Sequence, residues 1–308
     1  MRDMLIVILG PTTSGKTDLS IKLAKRFGGE IVSADSRQVY HRLNIGSGKI
    51  TNKEMQGIPH YLLGVANPKQ KFTVAHYQKL AMSAIKKIQA KGKIPLLVGG
   101  SGLYIQSVVD GIVIPEVKPN WKLRQQLEKK SVEELFLMLK NLDPLRSRNI
   151  DHKNPRRLIR AIEIVTTTGR PIEALRLRSG QNLAGQPLQI LQIGLKKSSE
   201  ELKKSIQKSL QKRIKGIIAE VKKLHKNKLS FKRLEELGLE YRFVAQYLQD
   251  RLAYSTSSGQ AYQEMLEKLQ KEIEHYAKRQ MTWFKRDQRI HWVKTQKEAE
   301  KLTQKFLQ

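Results

Sequence analysis

The sequence predicts an α/β protein with a parallel-sheet core, a helical domain inserted into it and a helical C-terminal part. Three observations predict this class. Short apolar runs alternate with helix-period stretches up to about residue 110, the pattern of parallel strands joined by right-handed crossovers. A basic region follows that is rich in helical pattern and poor in β-branched runs, after which one more apolar strand appears. A glycine-punctuated segment sits between the first apolar run and the first helix, where a phosphate loop belongs.

The first run, Met4-Leu5-Ile6-Val7-Ile8-Leu9, reads as a buried strand. Gly10-Pro11-Thr12-Thr13-Ser14-Gly15-Lys16-Thr17 fits G-x-x-x-x-G-K-[ST], and a helical pattern runs from Lys16 to Arg26. Backbone N–H groups that converge at a helix N-terminus bind anions, and the helix dipole adds positive character. Lys16 brings a full charge to a di- or triphosphate, and the Thr17 hydroxyl is a candidate ligand for Mg²⁺. The loop alone does not say which phosphate compound binds.

Glu30-Ile31-Val32-Ser33-Ala34 is a second strand that ends at Asp35. A loop-rich stretch punctuated by Gly46, Gly48, Gly57, Pro59, Gly64 and Pro68 follows, then a helical pattern from Val74 to Lys91. Lys93-Ile94-Pro95-Leu96-Leu97-Val98 is a third strand, closed by Gly99-Gly100-Ser101-Gly102. Ligands of open parallel sheets lie beyond the carboxyl ends of the strands. Gly10, Asp35 and Ser101 follow three such ends, so they are expected to converge.

Residues 1–115 are read as the first part of the core and 116–186 as the inserted helical domain. Helices are expected over 120–129, 131–140 and 154–168, the third capped by Asn154 with Pro155 in its first turn. Residues 187–308 return to the core: a strand at Gln189–Leu195, helices at about 198–225, 230–249 and 258–286, a short strand Ile290-His291-Trp292-Val293 and a terminal helix.

Among 308 residues, 58 are Lys or Arg against 28 Asp or Glu, a formal net charge of +30. Such an imbalance costs self-repulsion in a compact state, and a polyanionic partner, nucleic acid before membrane, is its natural reason. No apolar run reaches the length of a membrane span. The chain enters its first strand at once, so no signal peptide is expected. The absence of cysteine rules out disulfides and thiolate chemistry and fits a cytoplasmic location. No His/Asp/Glu spacing suits a transition metal, and His60, after a proline in a loop, reads as structural.

A P-loop followed by Asp35-Ser36-Arg37-Gln38-Val39-Tyr40 resembles the tRNA dimethylallyltransferase (tRNA isopentenyltransferase) family. Pro59-His60-Tyr61-Leu62, Leu97-Val98-Gly99-Gly100-Ser101-Gly102-Leu103-Tyr104, Asn154-Pro155-Arg156-Arg157-Leu158-Ile159-Arg160-Ala161-Ile162-Glu163 and Tyr276-Ala277-Lys278-Arg279-Gln280-Met281-Thr282-Trp283-Phe284 extend the resemblance in order over nearly the whole chain. It implies a P-loop kinase-like core with a helical insertion that grips the anticodon stem-loop. It also implies transfer of a dimethylallyl group from dimethylallyl diphosphate to N6 of the adenosine beside the tRNA anticodon, A37, with Mg²⁺ required and diphosphate released. A monomer is expected.

On this resemblance Asp35 is the base for the amino proton, or else an acidic group near Mg²⁺. Lys16, Thr17 and the amides of residues 12–17 hold the diphosphate. Ser101 donates to a phosphate oxygen or is a turn serine. Asp35, Ser36, Arg37, Gln38 and Ser101 meet the tRNA, as do Arg124 and the run Arg156, Arg157, Leu158, Ile159 and Arg160. Arg156 and Arg160, four apart, would share a phosphate-tracking face, with Arg157 turned elsewhere as an internal salt-bridge partner. Arg242 faces the diphosphate or covers a helix; here Glu240-Tyr241-Arg242 departs from the familiar G-Y-R. Phe284 is expected in the core, and Trp283 is either core or a stacking platform. Two rival readings are a P-loop kinase of a small metabolite and a non-catalytic RNA-binding ATPase.

Overall fold

The computed structural model describes residues 4–111, 117–172, 188–254 and 259–308. The chain divides into two compact units, one made of Met1–Val109 with Gly185–Gln308, the other of Asp110–Ala184. In chain order the elements are β1 (Met4–Leu9), α1 (Lys16–Phe27), β2 (Gly29–Ala34), α2 (Asn52–Met55), β3 (His60–Tyr61), α3 (Val74–Ala90), β4 (Ile94–Gly99), α4 (Gly102–Val109), α5 (Trp121–Leu127), α6 (Val132–Leu142), α7 (Pro144–Arg148), α8 (Pro155–Thr168), β5 (Gln189–Leu195), α9 (Ser199–Lys226), α10 (Phe231–Glu236), α11 (Leu239–Tyr254), α12 (Gly259–Phe284), β6 (Ile290–Val293) and α13 (Gln296–Leu307).

The first unit is built on a six-stranded sheet in the order β3-β2-β4-β1-β5-β6, parallel at every pairing. Its central strands are apolar along their length because both faces are covered. Leu5, Val7 and Leu9 of β1 point into one core, shared with residues of α3, α4, α9, α11 and α12. Ile6 and Ile8 point into the other, shared with α1 and α13. The α/β class is therefore as the sequence predicts, and β6 takes the edge beside β5. Two details differ. Within the loop-rich stretch His60 and Tyr61 add a short edge strand on β2. The helix expected over 230–249 is two helices, because Gly238 between them has φ +147° and interrupts the ladder.

Register sets up the site. Gly99 of β4 lies between Ala34 of β2 and Leu9 of β1. The segments that leave these three strands therefore emerge side by side, as expected for Gly10, Asp35 and Ser101.

The second unit is helical. α6 and α8 pack around Leu127, Leu135, Leu139, Leu158, Ile159 and Ile162. Its helix starts are capped locally: Asn120, Ser131, Asp143 and Asn154 each accept a backbone N–H of the first turn through the side chain. Among the described residues no helix is long and apolar enough to cross a membrane.

Candidate active site

The P-loop turns tightly because its glycines permit it. Gly15 has φ +94°, and a Cβ on Gly10 would come within 3.0 Å of the Leu195 carbonyl oxygen on the adjacent strand. Half-buried Lys16 folds back on its own loop, donating from Nζ to the Pro11 carbonyl at 2.5 Å and to Ser14 Oγ at 3.5 Å. Loss of water around the ammonium lowers its pKa to about 8, against the opposing pull of Asp35.

The loop amides are not all open to a ligand. Thr12 N–H donates to Gln280 Oε1 at 2.9 Å, and Ser14 N–H to the Pro11 carbonyl at 3.3 Å. The expectation that residues 12–17 all present amides is thus narrowed. The N–H groups of Lys16 and Thr17 stay outside the α1 ladder, whose first bond runs from Leu19 to Gly15. Thr13 has φ 57°, and its buried Oγ1 has no hydrogen-bond partner, an orphaned group on the cleft wall.

Gln280, buried on α12, also donates from Nε2 to the Gly100 carbonyl at 2.7 Å. One amide side chain thereby ties the P-loop to the end of β4. Sequence reasoning missed this role; the signal available was a glutamine inside a basic, otherwise amphipathic helix motif. Phe284 is in the core as expected, and Trp283 packs beside Gly102, where any Cβ would meet the indole.

Asp35 opens the turn after β2. Its Oδ1 accepts the N–H groups of Arg37 at 2.8 Å and Gln38 at 3.2 Å, an Asx-type turn. Its Oδ2 has no hydrogen-bond partner among the described residues. Ser101 Oγ accepts the Ser36 N–H at 3.0 Å and contacts the Tyr276 hydroxyl, contacts that suit a turn serine and leave its hydroxyl proton available for donation. Burial, then the charge of Asp35, push the Tyr276 hydroxyl up to about 12. Gln38 reaches the Ser47 and Gly48 carbonyls at 3.5 and 3.2 Å, and Arg37 donates to the Glu236 carbonyl at 3.2 Å.

These residues border a cleft of about 540 Å³. Thr12, Thr13, Lys16 and Thr17 form one side, Asp35, Gln38 and the loop Asn44–Thr51 another, and Lys212, Arg213, Glu240, Tyr276 and Gln280 come from the C-terminal helices. Ser36, Arg37 and Ser101 do not line the cleft. Arg242 does not line it; its guanidinium lies over the Phe243 ring, 5.4 Å from the centroid. Arg213 takes the cleft position instead, 3.8 Å from Glu240. Burial raises the Glu240 carboxyl above its ordinary value, only partly offset by Arg213. His60 borders the cleft too, with Nδ1 at 2.8 Å from the Ile58 carbonyl oxygen and its pKa lowered chiefly by burial.

The donor set fits Mg²⁺. No cluster of three or more His, Cys, Asp or Glu suited to a metal occurs among the described residues. Mg²⁺ bound to a diphosphate, however, asks the protein for only one or two hard oxygens. The exposed Thr17 hydroxyl at the α1 N-terminus is such an oxygen.

In the second unit one carboxylate organises the arginines. Glu163, fully buried, accepts from Arg124 Nε and Nη2 at 2.8 and 2.6 Å, from Arg160 Nη1 at 2.5 Å and from the Asn120 N–H at 2.7 Å. Burial pushes the Glu163 carboxyl up, but these donors together outweigh it and leave it below its ordinary value. Arg160 also donates to the Val117 carbonyl. This corrects the shared face expected for Arg156 and Arg160: Arg160 is the internal partner, and Arg124 is bound to the same carboxylate. Arg157, expected inside, is exposed with Asp151 at 3.5 Å, and Arg156 is exposed. Leu158 and Ile159 are in the apolar core, so their side chains are turned away from any RNA-facing surface.

A family model described as IPP transferase matches residues 38–287. The tRNA dimethylallyltransferase of Carboxydothermus hydrogenoformans is 38% identical over 314 residues, covering 100% of this chain and 97% of its own. That of Anoxybacillus flavithermus is 40% identical over 295 residues, covering 95% and 90%. Among solved structures, the full-length tRNA isopentenylpyrophosphate transferase of Bacillus halodurans superposes with a TM-score of 0.68 at 31% identity, covering 99% of this chain and 95% of its own. A eukaryotic dimethylallyltransferase acting on tRNA gives 0.74 at 25% identity, covering 91% and 69%. These matches do not favour the kinase or ATPase readings. With its P-loop, its Asp35 turn and its helical second unit in one continuous match, the chain belongs to the IPP transferase family of tRNA dimethylallyltransferases.

Proposed function

We propose that this protein transfers a dimethylallyl group from dimethylallyl diphosphate to N6 of A37, the adenosine next to the tRNA anticodon, with release of diphosphate. The observation that carries the reading is the joining of an anion-binding loop and a carboxylate with one unpartnered oxygen in a single cleft. That pairing suits a reaction in which an anion leaves while a proton is removed.

The exocyclic amine is a weak nucleophile because its lone pair is delocalised into the ring. Asp35 Oδ2 accepts one N6 proton as the nitrogen bonds to C1 of the dimethylallyl group, while the C1–O bond breaks and its electron pair departs with the diphosphate. Asp35 Oδ1, fixed by two backbone N–H groups, keeps the carboxylate oriented. Lys16, released from Pro11, and the open amides of Lys16 and Thr17 meet the negative charge that grows on the leaving group. Lys49, Lys212 and Arg213 add positive potential around it. Mg²⁺, when bound, would neutralise part of the diphosphate charge, and Thr17 would hold it. The target base must leave its stack to reach the cleft. Exposed Arg156 and Arg157 are the candidate phosphate contacts of the second unit. We place the enzyme in the cytoplasm, acting as a monomer.

The test is a diphosphate-release assay with dimethylallyl diphosphate, Mg²⁺ and tRNA carrying A36-A37. Release that depends on the tRNA is expected. Release of phosphate from ATP, with none from the prenyl donor, would contradict the proposal.

A further inference from the structure

One wall of the cleft is a loop without regular structure, residues 44–48, and its rigidity comes from far along the chain. The Glu220 carboxylate on α9 accepts three successive backbone N–H groups: Asn44 at 2.9 Å and Ile45 at 2.8 Å on Oε2, Gly46 at 3.1 Å on Oε1. Successive amides around one anion form the arrangement by which loops bind phosphate; here the anion is the protein's own. Tyr241, wholly buried on α11, donates its hydroxyl proton to Glu220 Oε1 at 2.6 Å and accepts the Ser47 N–H at 3.1 Å. Burial, reinforced by Glu220, pushes this hydroxyl far above the tyrosine range, so it remains a donor. Gly46 has no room for a side chain, since a Cβ would lie 2.5 Å from Cζ of Tyr241.

The loop leads to Asp35. Gly48 and Ser47 carbonyls accept from Gln38 Nε2, and the Gln38 N–H donates to Asp35 Oδ1. On the reading of Asp35 as base, we infer that Glu220 and Tyr241 are positioning residues that hold the 44–48 wall and, through Gln38, aim Asp35. The Glu240-Tyr241-Arg242 segment thus acts through its tyrosine, while its arginine lies off the cleft.

The experiment combines kinetics with hydrogen exchange on the full-length protein. Tyr241→Phe keeps the ring and loses one hydrogen bond on each side, so kcat for tRNA prenylation falls by about 3–10-fold. Glu220→Gln turns one acceptor into a donor facing backbone N–H groups and lowers kcat by about 10–100-fold. In both variants KM for dimethylallyl diphosphate stays within about twofold, because the P-loop is untouched. The double variant loses no more than Glu220→Gln alone, since the two side chains act through one carboxylate. Amide exchange at residues 44–47 rises in both single variants. Unchanged protection of those amides overturns the clamp whatever the activity. Increased exchange with kcat intact, or a loss confined to KM for the donor, overturns its link to Asp35. A wild-type protein that fails to prenylate tRNA overturns the functional reading instead, while the exchange result still decides the clamp.

Discussion

At the scale of single residues, the proposed function rests on two charges, and each has a defined test. Asp35→Asn retains Oδ1 to accept from Arg37 and Gln38 while removing the basic oxygen. It should lower kcat by about 10²–10⁴-fold with tRNA affinity nearly unchanged. An equal loss of tRNA binding would make Asp35 a recognition residue. Lys16, with its pKa lowered to about 8 by desolvation, is charged below that pH and loses its proton above it. A bound diphosphate favours the charged form, so the donor's KM should rise as pH passes through about 8. Calorimetry of diphosphate binding just above that pH, in buffers of different ionisation enthalpy, should register proton uptake. Identical heats in all buffers would contradict this role. Lys16 and Asp35 were legible in the sequence because each belongs to a short local pattern. Gln280 and Glu220 were not, because their partners lie 268 and 176 residues away.

At the scale of elements, α8 shows how periodicity can point to the right helix and the wrong side chain. Its boundaries, its Asn154 cap and its first-turn proline follow from local chemistry. Arg160 turns inward because Glu163, three residues on along α8, is buried and shared with Arg124 of α5, and neither its burial nor that sharing can be read from spacing along α8. Glu163→Gln should destabilise the second unit by about 3 kcal/mol, because it leaves two arginines facing an uncharged amide. Thermal unfolding or exchange of the helical amides would measure it, and an unchanged stability would contradict the account. Arg156→Ala should reduce the salt dependence of tRNA binding by about one phosphate contact. Arg160→Ala should instead act mainly on stability. Equal effects of both on the salt slope would restore the shared face.

At the scale of the whole molecule, the four central strands β1, β2, β4 and β5 were legible because each is an apolar run that glycine or proline bounds, whereas the two-residue edge strand β3 was not. The meeting of Gly10, Asp35 and Ser101 follows from parallel topology alone. The cleft's far wall was not legible. It is assembled by α9, α11 and α12 against loops near the N-terminus, contacts that leave no periodic trace. The formal charge of +30 is the one global property with a direct functional correlate, since it biases the molecule toward a polyanion. The P-loop motif taken alone suggests a nucleotide. In the company of Asp35 and this family, the proposed function gives it a leaving group to hold. Intact-mass measurement of tRNA after incubation with the protein, Mg²⁺ and dimethylallyl diphosphate tests this most directly. One isoprenyl unit should be added to tRNA carrying A36-A37 and none when A37 is replaced by guanosine. A tRNA mass unchanged in both, or an isoprenyl gain that survives loss of A37, would contradict the account.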